Sequence, residues 1–448
     1  MKLTLSTLRR CFEGAVPAII ATCDNSAVPN VAYLSQVHYM DEEHIALSFQ
    51  FFNTTRRNIL VNPAATILLM DPVTAEQYHL HITYVKTVSE GPLFESMKAR
   101  LAGIASHSGM SEVFRLKGSD IYRVQRIELI AGAPSPQASP PAPNLLPALR
   151  RSMTRLAVCQ DLSELLAGTL DCLADEFDMQ HAMLLMWDAA GEKLYTVASR
   201  GYHHSGVGSE ISLGEGIIGV AARERVPIRI GHCATEYLYG RAVRDSYLQR
   251  HALIDMEISI PVPGLARSGS QMAVPIAQGE RLIGVLYVES PQEMRFSWDD
   301  EDALVALTDY LALAITSAER CTELAVEPVE QAVAPTKDVG KAVNVCFYRA
   351  DQSVFINNDY LIKGVAGAIL WKLLCDHSER GRDEFTNREL RHDTSLRLPD
   401  VVDNLEARLI LLQRRLVERC DALVIEKTGR GRFRLRVAGT LQLREVVA

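Results

Sequence analysis

The sequence lacks several features that would each define a class of protein. It has no CxxC pair among its nine cysteines, so neither a disulfide framework nor a zinc knuckle is predicted. It has no uninterrupted apolar run of about 18 residues, so no membrane-spanning helix is predicted. Glu13 and Pro17 interrupt the N-terminal stretch, where a signal peptide would have an unbroken apolar core. Together these absences predict a protein of the reducing cytoplasm.

Over most of the chain, basic residues are also fewer than acidic ones. The 47 Lys and Arg are outnumbered by 55 Asp and Glu, which gives a formal net charge of −8. Residues 343–448 are the exception: they hold 18 basic against 15 acidic residues and carry +3, while the remainder carries −11. We therefore expect any nucleic-acid binding to lie in the C-terminal part. The hydrophobic fraction of 48% excludes a wholly disordered chain.

Two changes in composition divide the 448 residues into three domains. Residues 131–149 contain six prolines and predict a stiff, extended spacer. Residues 323–342 are a polar linker. The blocks 1–130, 150–322 and 343–448 are each long enough to bury a core of their own.

The fold class predicted from hydrophobic periodicity is multidomain α+β. The first block contains short, regularly spaced strands that predict a small β-barrel. The second block alternates strands with amphipathic helices. The third reads as strands, three helices and a C-terminal hairpin. The strands predicted in the first block are 16–22, 29–39, 44–51, 64–71, 78–90 and 119–130, and the helix predicted there is 94–105.

The helix predicted at 399–420 is the most informative segment. Asn404, Arg408 and Arg415 lie together beside its apolar stripe, and Arg414 lies on the opposite side. Arginine and asparagine are the side chains that read guanine and adenine edges in a major groove. The stripe consists of Val402, Leu405, Leu409, Leu412 and Leu416, and the hairpin that follows carries Lys427, Arg430, Arg432 and Arg434.

The segments SVFINNDYLIKGVAGAILWKLLCDH, FTNREL, VDNLEARLILLQRRL and GRGRF, in that order, resemble the winged-helix output domain of OmpR-type response regulators. The resemblance implies that the long helix enters the major groove with Asn404 and Arg408 reading bases. It implies base or phosphate contacts for Arg415 and wing contacts for Arg430 and Arg432. Arg414 and Lys427 complete the predicted DNA-binding set. The alternative is that these residues form the basic face of a protein-interaction domain.

The second block carries GEGIIGVAARERVPIRI, SQMAVPIAQGERLIGVLYVES and FSWDDEDALVALTDYLALAI, which resemble a GAF domain. The resemblance implies an antiparallel sheet with helices on one face and a small-molecule pocket on the other. Leu304, Leu307, Leu311 and Ile315 recur on the helix at 299–320 and predict pairing between two subunits. The ligand of the pocket is not readable from the sequence.

The histidines of the second block leave two interpretations. His203 and His204 lie in a predicted loop near the pocket mouth, and Cys233 follows His232; a solvated role is the simpler interpretation, and a metal or haem role is the alternative. His79 and His81 share one face of a strand, and a structural role fits them better than ligation. No metal site is predicted.

In the first block, EGAVPAIIAT, PNVAYLSQV and LSFQFFNTTRRNILVNPAATILLMDP resemble the split barrel of the pyridoxamine-phosphate-oxidase-like family. Members bind FMN, F420 or haem at a dimer interface. The resemblance implies FMN as the cofactor, with Asn53, Thr54, Thr55, Arg56 and Arg57 around its phosphate. The chain departs from the FMN-binding oxidases here, because those enzymes have a Ser-Arg-Lys run. A barrel retained only for dimerisation is therefore the alternative.

These features together predict a homodimeric one-component transcription regulator. Its barrel and GAF domains would sense a small molecule or a redox cofactor, and its winged helix would bind DNA. An effector would change the dimer arrangement and hence the spacing of the two winged helices. The alternatives are a flavin-dependent oxidoreductase with regulatory domains and a protein scaffold. No catalytic residue is predicted, and neither the operator nor the direction of regulation can be read.

Overall fold

A computed structural model gives the architecture, and its described residues form four β-sheets. The described residues are 3–14, 16–34, 36–49, 54–107, 116–131, 144–231, 260–324, 342–393, 396 and 405–446.

The first part of the chain is built on a seven-stranded antiparallel sheet in the order β2-β1-β5-β6-β7-β4-β3. Alternate residues of these strands point into one apolar core, which a short 3-10 helix closes. Helix α1 was not predicted, because eight residues are too few to show a helical period. The elements are the 3-10 helix Leu5–Phe12, β1 Ala18–Cys23, β2 Pro29–Leu34, β3 Val37–Tyr39, β4 His44–Phe49, α1 Thr54–Val61, β5 Ala64–Met70, β6 Gln77–Val88, α2 Pro92–His107 and β7 Gly118–Ala131.

The second part contains a six-stranded antiparallel sheet in the order β10-β9-β8-β13-β12-β11. The predicted N-cap of α4 is confirmed: the Asp161 carboxylate accepts a hydrogen bond from the Glu164 N–H at 2.9 Å. The elements are α3 Leu146–Leu156, α4 Leu162–Phe177, β8 His181–Asp188, β9 Lys193–Arg200, β10 Glu210–Ser212, α5 Gly216–Glu224, β11 Ile228–Ile230, β12 Ser270–Gln278, β13 Arg281–Ser290 and α6 Trp298–Leu324.

The apolar stripe of α6 packs inside its own domain. Leu304, Leu307, Leu311 and Ile315 are at most 1% exposed and belong to the core beneath β12 and α3. The stripe therefore does not offer the subunit-pairing surface that its spacing predicted. A helical apolar period indicates that a face is buried, and it does not say against which partner.

The third part combines a four-stranded sheet, β16-β15-β14-β20, with three helices and a three-stranded sheet, β17-β19-β18. The predicted capping box at the start of α8 is confirmed, with Thr386 and Glu389 each accepting from the other's backbone N–H. The elements are β14 Val343–Tyr348, β15 Ser353–Ile356, β16 Asp359–Ile362, α7 Gly364–Arg380, β17 Glu384–Thr386, α8 Asn387–His392, α9 Leu405–Arg419, β18 Leu423–Gly429, β19 Arg432–Val437 and β20 Leu441–Val446.

Contacts between the parts are extensive. Helix α2 packs on α5, and Ala99 of α2 belongs to the same apolar cluster as the α5 face of the second sheet. The cores of the second and third parts form one continuous cluster. Within the described residues, no helix is both long and apolar enough to cross a bilayer.

Candidate functional site

Helix α9, the predicted DNA-reading helix, packs against β9 and α4 of the second domain as well as against its own domain. Arg408 and Arg415 are only 4% and 3% exposed. The Arg408 Nη2 lies 2.6 Å from an Asp188 carboxylate oxygen, and its guanidinium carbon lies 5.0 Å from the Tyr195 ring centroid. The sequence interpretation of a solvated reading face therefore does not describe this arrangement.

The neighbouring cations are also engaged. Arg414 donates to the Val197 carbonyl oxygen of β9 at 2.5 Å, and Arg415 donates to the Leu361 carbonyl oxygen at 3.0 Å. Burial lowers the pKa of both arginines, because the charged form loses its hydration. Lys427 pairs with Asp161 at 2.7 Å. Asn404, the remaining base-reading candidate on this helix, lies outside the described residues.

The tip of the β18–β19 hairpin is different, because Arg430 is exposed to solvent there. Gly431 has φ +66°, a left-handed conformation that glycine adopts without strain and that allows the tight turn. Arg432 is half-buried beside it. The hairpin therefore presents a cation at the position predicted for a wing.

The candidate phosphate site in the first domain does not converge as predicted. Arg56 donates to the buried Asp120 carboxylate at 2.5 Å and lies over the Phe49 ring, inside the barrel. Arg57 is exposed and donates to the Thr54 hydroxyl at 3.0 Å. Because a phosphate needs cations that are free to compensate it, the described residues do not fit an FMN phosphate held by both arginines.

Thr55 and Asn53 are the other two members of that set. The Thr55 hydroxyl accepts from the Asn30 amide at 2.9 Å. Asn53 lies outside the described residues. The adjacency of Arg56 and Arg57 in sequence had suggested one site, but a helix turns successive side chains by about 100° and separates them.

A charged cluster between the first and second domains was not predicted. Arg229 of β11, only 1% exposed at its side chain, pairs with Glu13 and, at 2.8 Å, with Glu301 of α6. Arg100 of α2 lies 2.6 Å from the other Glu301 oxygen. The Arg100 and Arg229 guanidinium carbons both lie 4.6 Å from the Trp298 ring centroid. This cluster joins the first domain to the second through buried, opposite charges.

His38 lies at the edge of that cluster, with its ring 6.5 Å from the Trp298 ring. Burial, aided by the nearby Arg100, lowers the pKa of His38 to about 4. The unfolded chain binds this proton near pH 6.5, so the contribution of His38 to stability is constant above that pH and falls as the pH drops towards 4.

We therefore expect the free energy of unfolding to fall by up to about 1.4 kcal/mol per pH unit in this window because of His38. His38→Gln should remove that part of the slope. Urea unfolding at several pH values from 7 down to 4.5 would measure it. An identical pH dependence in the parent and in His38→Gln would contradict the assignment.

A second unpredicted feature is a pair of buried polar side chains, Glu289 and Tyr202, at one end of the sheet face that α5 covers. Glu289 is 1% exposed, and its Oε1 accepts from the Leu265 N–H at 3.0 Å. Its Oε2 and the Tyr202 hydroxyl are both buried. Burial, the Glu289 charge and a hydrogen bond to Glu289 together raise the pKa of Tyr202. The two groups therefore form a buried polar contact within the second domain.

Comparison with known proteins agrees with this geometry in two regions. A family model described as GAF domain matches residues 159–316, and one described as pyridoxamine 5'-phosphate oxidase matches residues 6–125. The chain contains a GAF domain and an oxidase-type split barrel. No curated protein matches the chain.

Three solved structures are among those to which parts of the chain are similar. The GAF domain of an Acinetobacter phosphoenolpyruvate-protein phosphotransferase is 22% identical, covering 39% of this chain and 94% of its own, with TM-score 0.31. Free methionine-R-sulfoxide reductase from Neisseria meningitidis is 19% identical, covering 39% and 89%, with TM-score 0.30. An FMN-binding protein from Syntrophomonas wolfei is 14% identical, covering 28% and 86%, with TM-score 0.25.

Proposed function

We propose that the protein is a cytoplasmic DNA-binding transcription regulator. In this proposal the split barrel and the GAF domain form the sensor, and the third domain is an OmpR-type winged helix. The observation that carries it is the topology of residues 343–446: strands, the helices α7, α8 and α9, and then a hairpin with the exposed Arg430 at its tip. That order of elements is the one a winged helix requires.

The sensor part of the proposal is supported by the two family models, which match a GAF domain at residues 159–316 and a pyridoxamine 5'-phosphate oxidase at residues 6–125. The effector we propose is a small molecule. FMN is compatible with the split-barrel fold, but the engagement of Arg56 with Asp120 leaves it outside this proposal. No flavin chemistry is assigned to the chain.

We propose that the regulator acts as a homodimer joined through its barrels rather than through α6. Strand β2 lies at the edge of its sheet, and Val31 and Tyr33 on it are 65% and 77% exposed. An exposed apolar edge strand is a liability unless another chain covers it. The two winged helices of the dimer would then bind the two half-sites of an operator.

The proposal predicts a salt-dependent contact at the wing. Replacing Arg430 by alanine should weaken DNA binding uniformly across sequences and lower the slope of log K against log salt by about one unit, because one phosphate contact is lost. Fluorescence anisotropy with a labelled fragment from upstream of the protein's own gene would measure the slope.

The matched control is Arg123→Ala, which removes an exposed arginine from the barrel and should leave the slope unchanged. Equal slopes for the parent and Arg430→Ala would remove the hairpin from the DNA interface.

A further inference from the structure

We infer that the GAF domain carries a docking surface for α9, and that this surface and DNA compete for the same face of the helix. The inference rests on the proposed winged-helix function. The docking surface lies around β9 and covers the residues of α9 that we propose to read DNA. Its occupant is therefore a segment of this chain, α9 itself.

Polar contacts hold one side of the helix to the GAF domain. The Arg408 guanidinium meets the Asp188 carboxylate at 2.6 Å and lies over Tyr195. One turn and a half further along, Arg414 donates to the Val197 carbonyl oxygen at 2.5 Å. A guanidinium that is matched by a carboxylate and an aromatic face in a buried setting is in a fitted site, and it is not a solvated surface charge.

Close packing separates these polar contacts. A β-carbon at Gly208 would lie 3.7 Å from the side chains of both Leu411 and Arg415, so the GAF backbone approaches α9 closely at that point. Gly208 has φ +90°, a conformation that only glycine adopts without strain, and it carries no side chain to hold the helix away. Leu411 is 4% exposed, although it lies outside the stripe that faces the third domain's own core. An apolar residue at that position is suited to a protein partner rather than to DNA.

Two contacts lie at the rim of the surface, one at the end of α9 and one on the hairpin. Lys427 of β18 meets the Asp161 carboxylate at 2.7 Å, and the Ser205 hydroxyl donates to Glu418 at 2.5 Å. Both pairs join the third domain to the GAF domain. A residue predicted to contact phosphate is thus paired with a GAF carboxylate.

Competition follows from these contacts. A recognition helix must enter a major groove about 12 Å wide, which a helix covered by a β-sheet domain cannot do. The apparent affinity for DNA is then reduced by the fraction of molecules in which α9 is free. An effector that weakens the docking surface would raise that fraction without touching DNA.

The test removes charge from the GAF side only, in the full-length protein. Asp188→Asn keeps the oxygen that accepts from the Ala190 N–H, and Asp161→Asn keeps a side chain that caps α4. The double variant removes the GAF carboxylates that pair with Arg408 and Lys427, whereas Glu406 of α9 still lies 3.7 Å from Lys427. We expect it to bind DNA at least roughly tenfold more tightly than the parent. Hydrogen exchange over residues 405–419 should become faster.

The matched control is Asp171→Asn, which removes a carboxylate that pairs only with arginines of the GAF domain. It should behave as the parent in both measurements.

Three results would overturn the inference, and each points to a different error. Unchanged exchange over 405–419 would mean that the two carboxylates do not hold the helix. Faster exchange with unchanged DNA affinity would mean that DNA binds without displacing α9 from the GAF domain, which leaves the proposed regulator intact. Faster exchange in a variant that, like the parent, binds no DNA at low salt would remove the proposed DNA-binding function itself.

Discussion

Replacing Arg229 by methionine is expected to destabilise the contact between the barrel and the GAF domain by about 3–5 kcal/mol. The side chain of Arg229 is 1% exposed and lies between Glu13 and Glu301, which are 6% and 7% exposed. Methionine fills much of the same volume but leaves the buried Glu13 without its ion-pair partner, whereas Glu301 retains Arg100. The cost therefore arises mainly from an uncompensated carboxylate.

The fluorescence of Trp298 reports on this cluster directly, because its ring is in contact with Arg100 and Arg229. The chain has three tryptophans, so replacing Trp187 and Trp371 by phenylalanine leaves one local reporter. Urea unfolding followed by Trp298 fluorescence would give the free-energy difference between the parent and Arg229→Met in that background.

Two further variants separate the buried charge from other effects. Arg123→Met breaks an exposed pair with Glu43 and should cost less than about 1 kcal/mol. Adding Glu13→Met to Arg229→Met should recover part of the loss, since replacing both members of a buried pair by apolar residues is often nearly neutral. A loss under about 1 kcal/mol for Arg229→Met alone would mean that the cluster does not join the two domains.

The features predicted correctly from sequence are those whose causes are local. The cap at Asp161 and the capping box at Thr386 and Glu389 depend on residues three positions apart, and both are present. Leu405, Leu409, Leu412 and Leu416 are buried as their helical spacing predicted. Short-range chemistry and periodicity are enough to identify these features.

The features that sequence could not predict depend on partners far along the chain. Asp120, which engages Arg56, lies 64 residues away, and Asp188, which engages Arg408, lies 220 residues away. The sequence of α9 does carry one signal of this second contact. Ile410 and Leu411 are apolar and lie off the stripe of α9, and both are 4% exposed. A helix with apolar residues on more than one face predicts a second packing partner, although not its identity.

Arg408→Lys is expected to lower the preference of the protein for its operator over unrelated DNA by about 1–3 kcal/mol. Lysine keeps a positive charge for Asp188, although it loses the contact of the guanidinium with the Tyr195 ring. It also lacks the planar fork that reads two acceptors of a guanine at once. The substitution therefore keeps the charge that pairs with the GAF domain and removes the group that reads a base, whereas alanine would remove both.

The measurement is the ratio of operator to non-specific affinity at one salt concentration, together with the salt slope, which should not change. Arg419→Lys is the matched control, because Arg419 is exposed at the end of the same helix and should leave the ratio unaltered. One combined outcome would separate the two roles. Arg408→Lys would keep the parent's ratio of affinities, and the double variant Asp188→Asn, Asp161→Asn would bind DNA more tightly. In that case the GAF domain covers α9, but Arg408 does not read the sequence. Base recognition would then lie elsewhere in the third domain, and the burial of Arg408 would serve only the contact between domains.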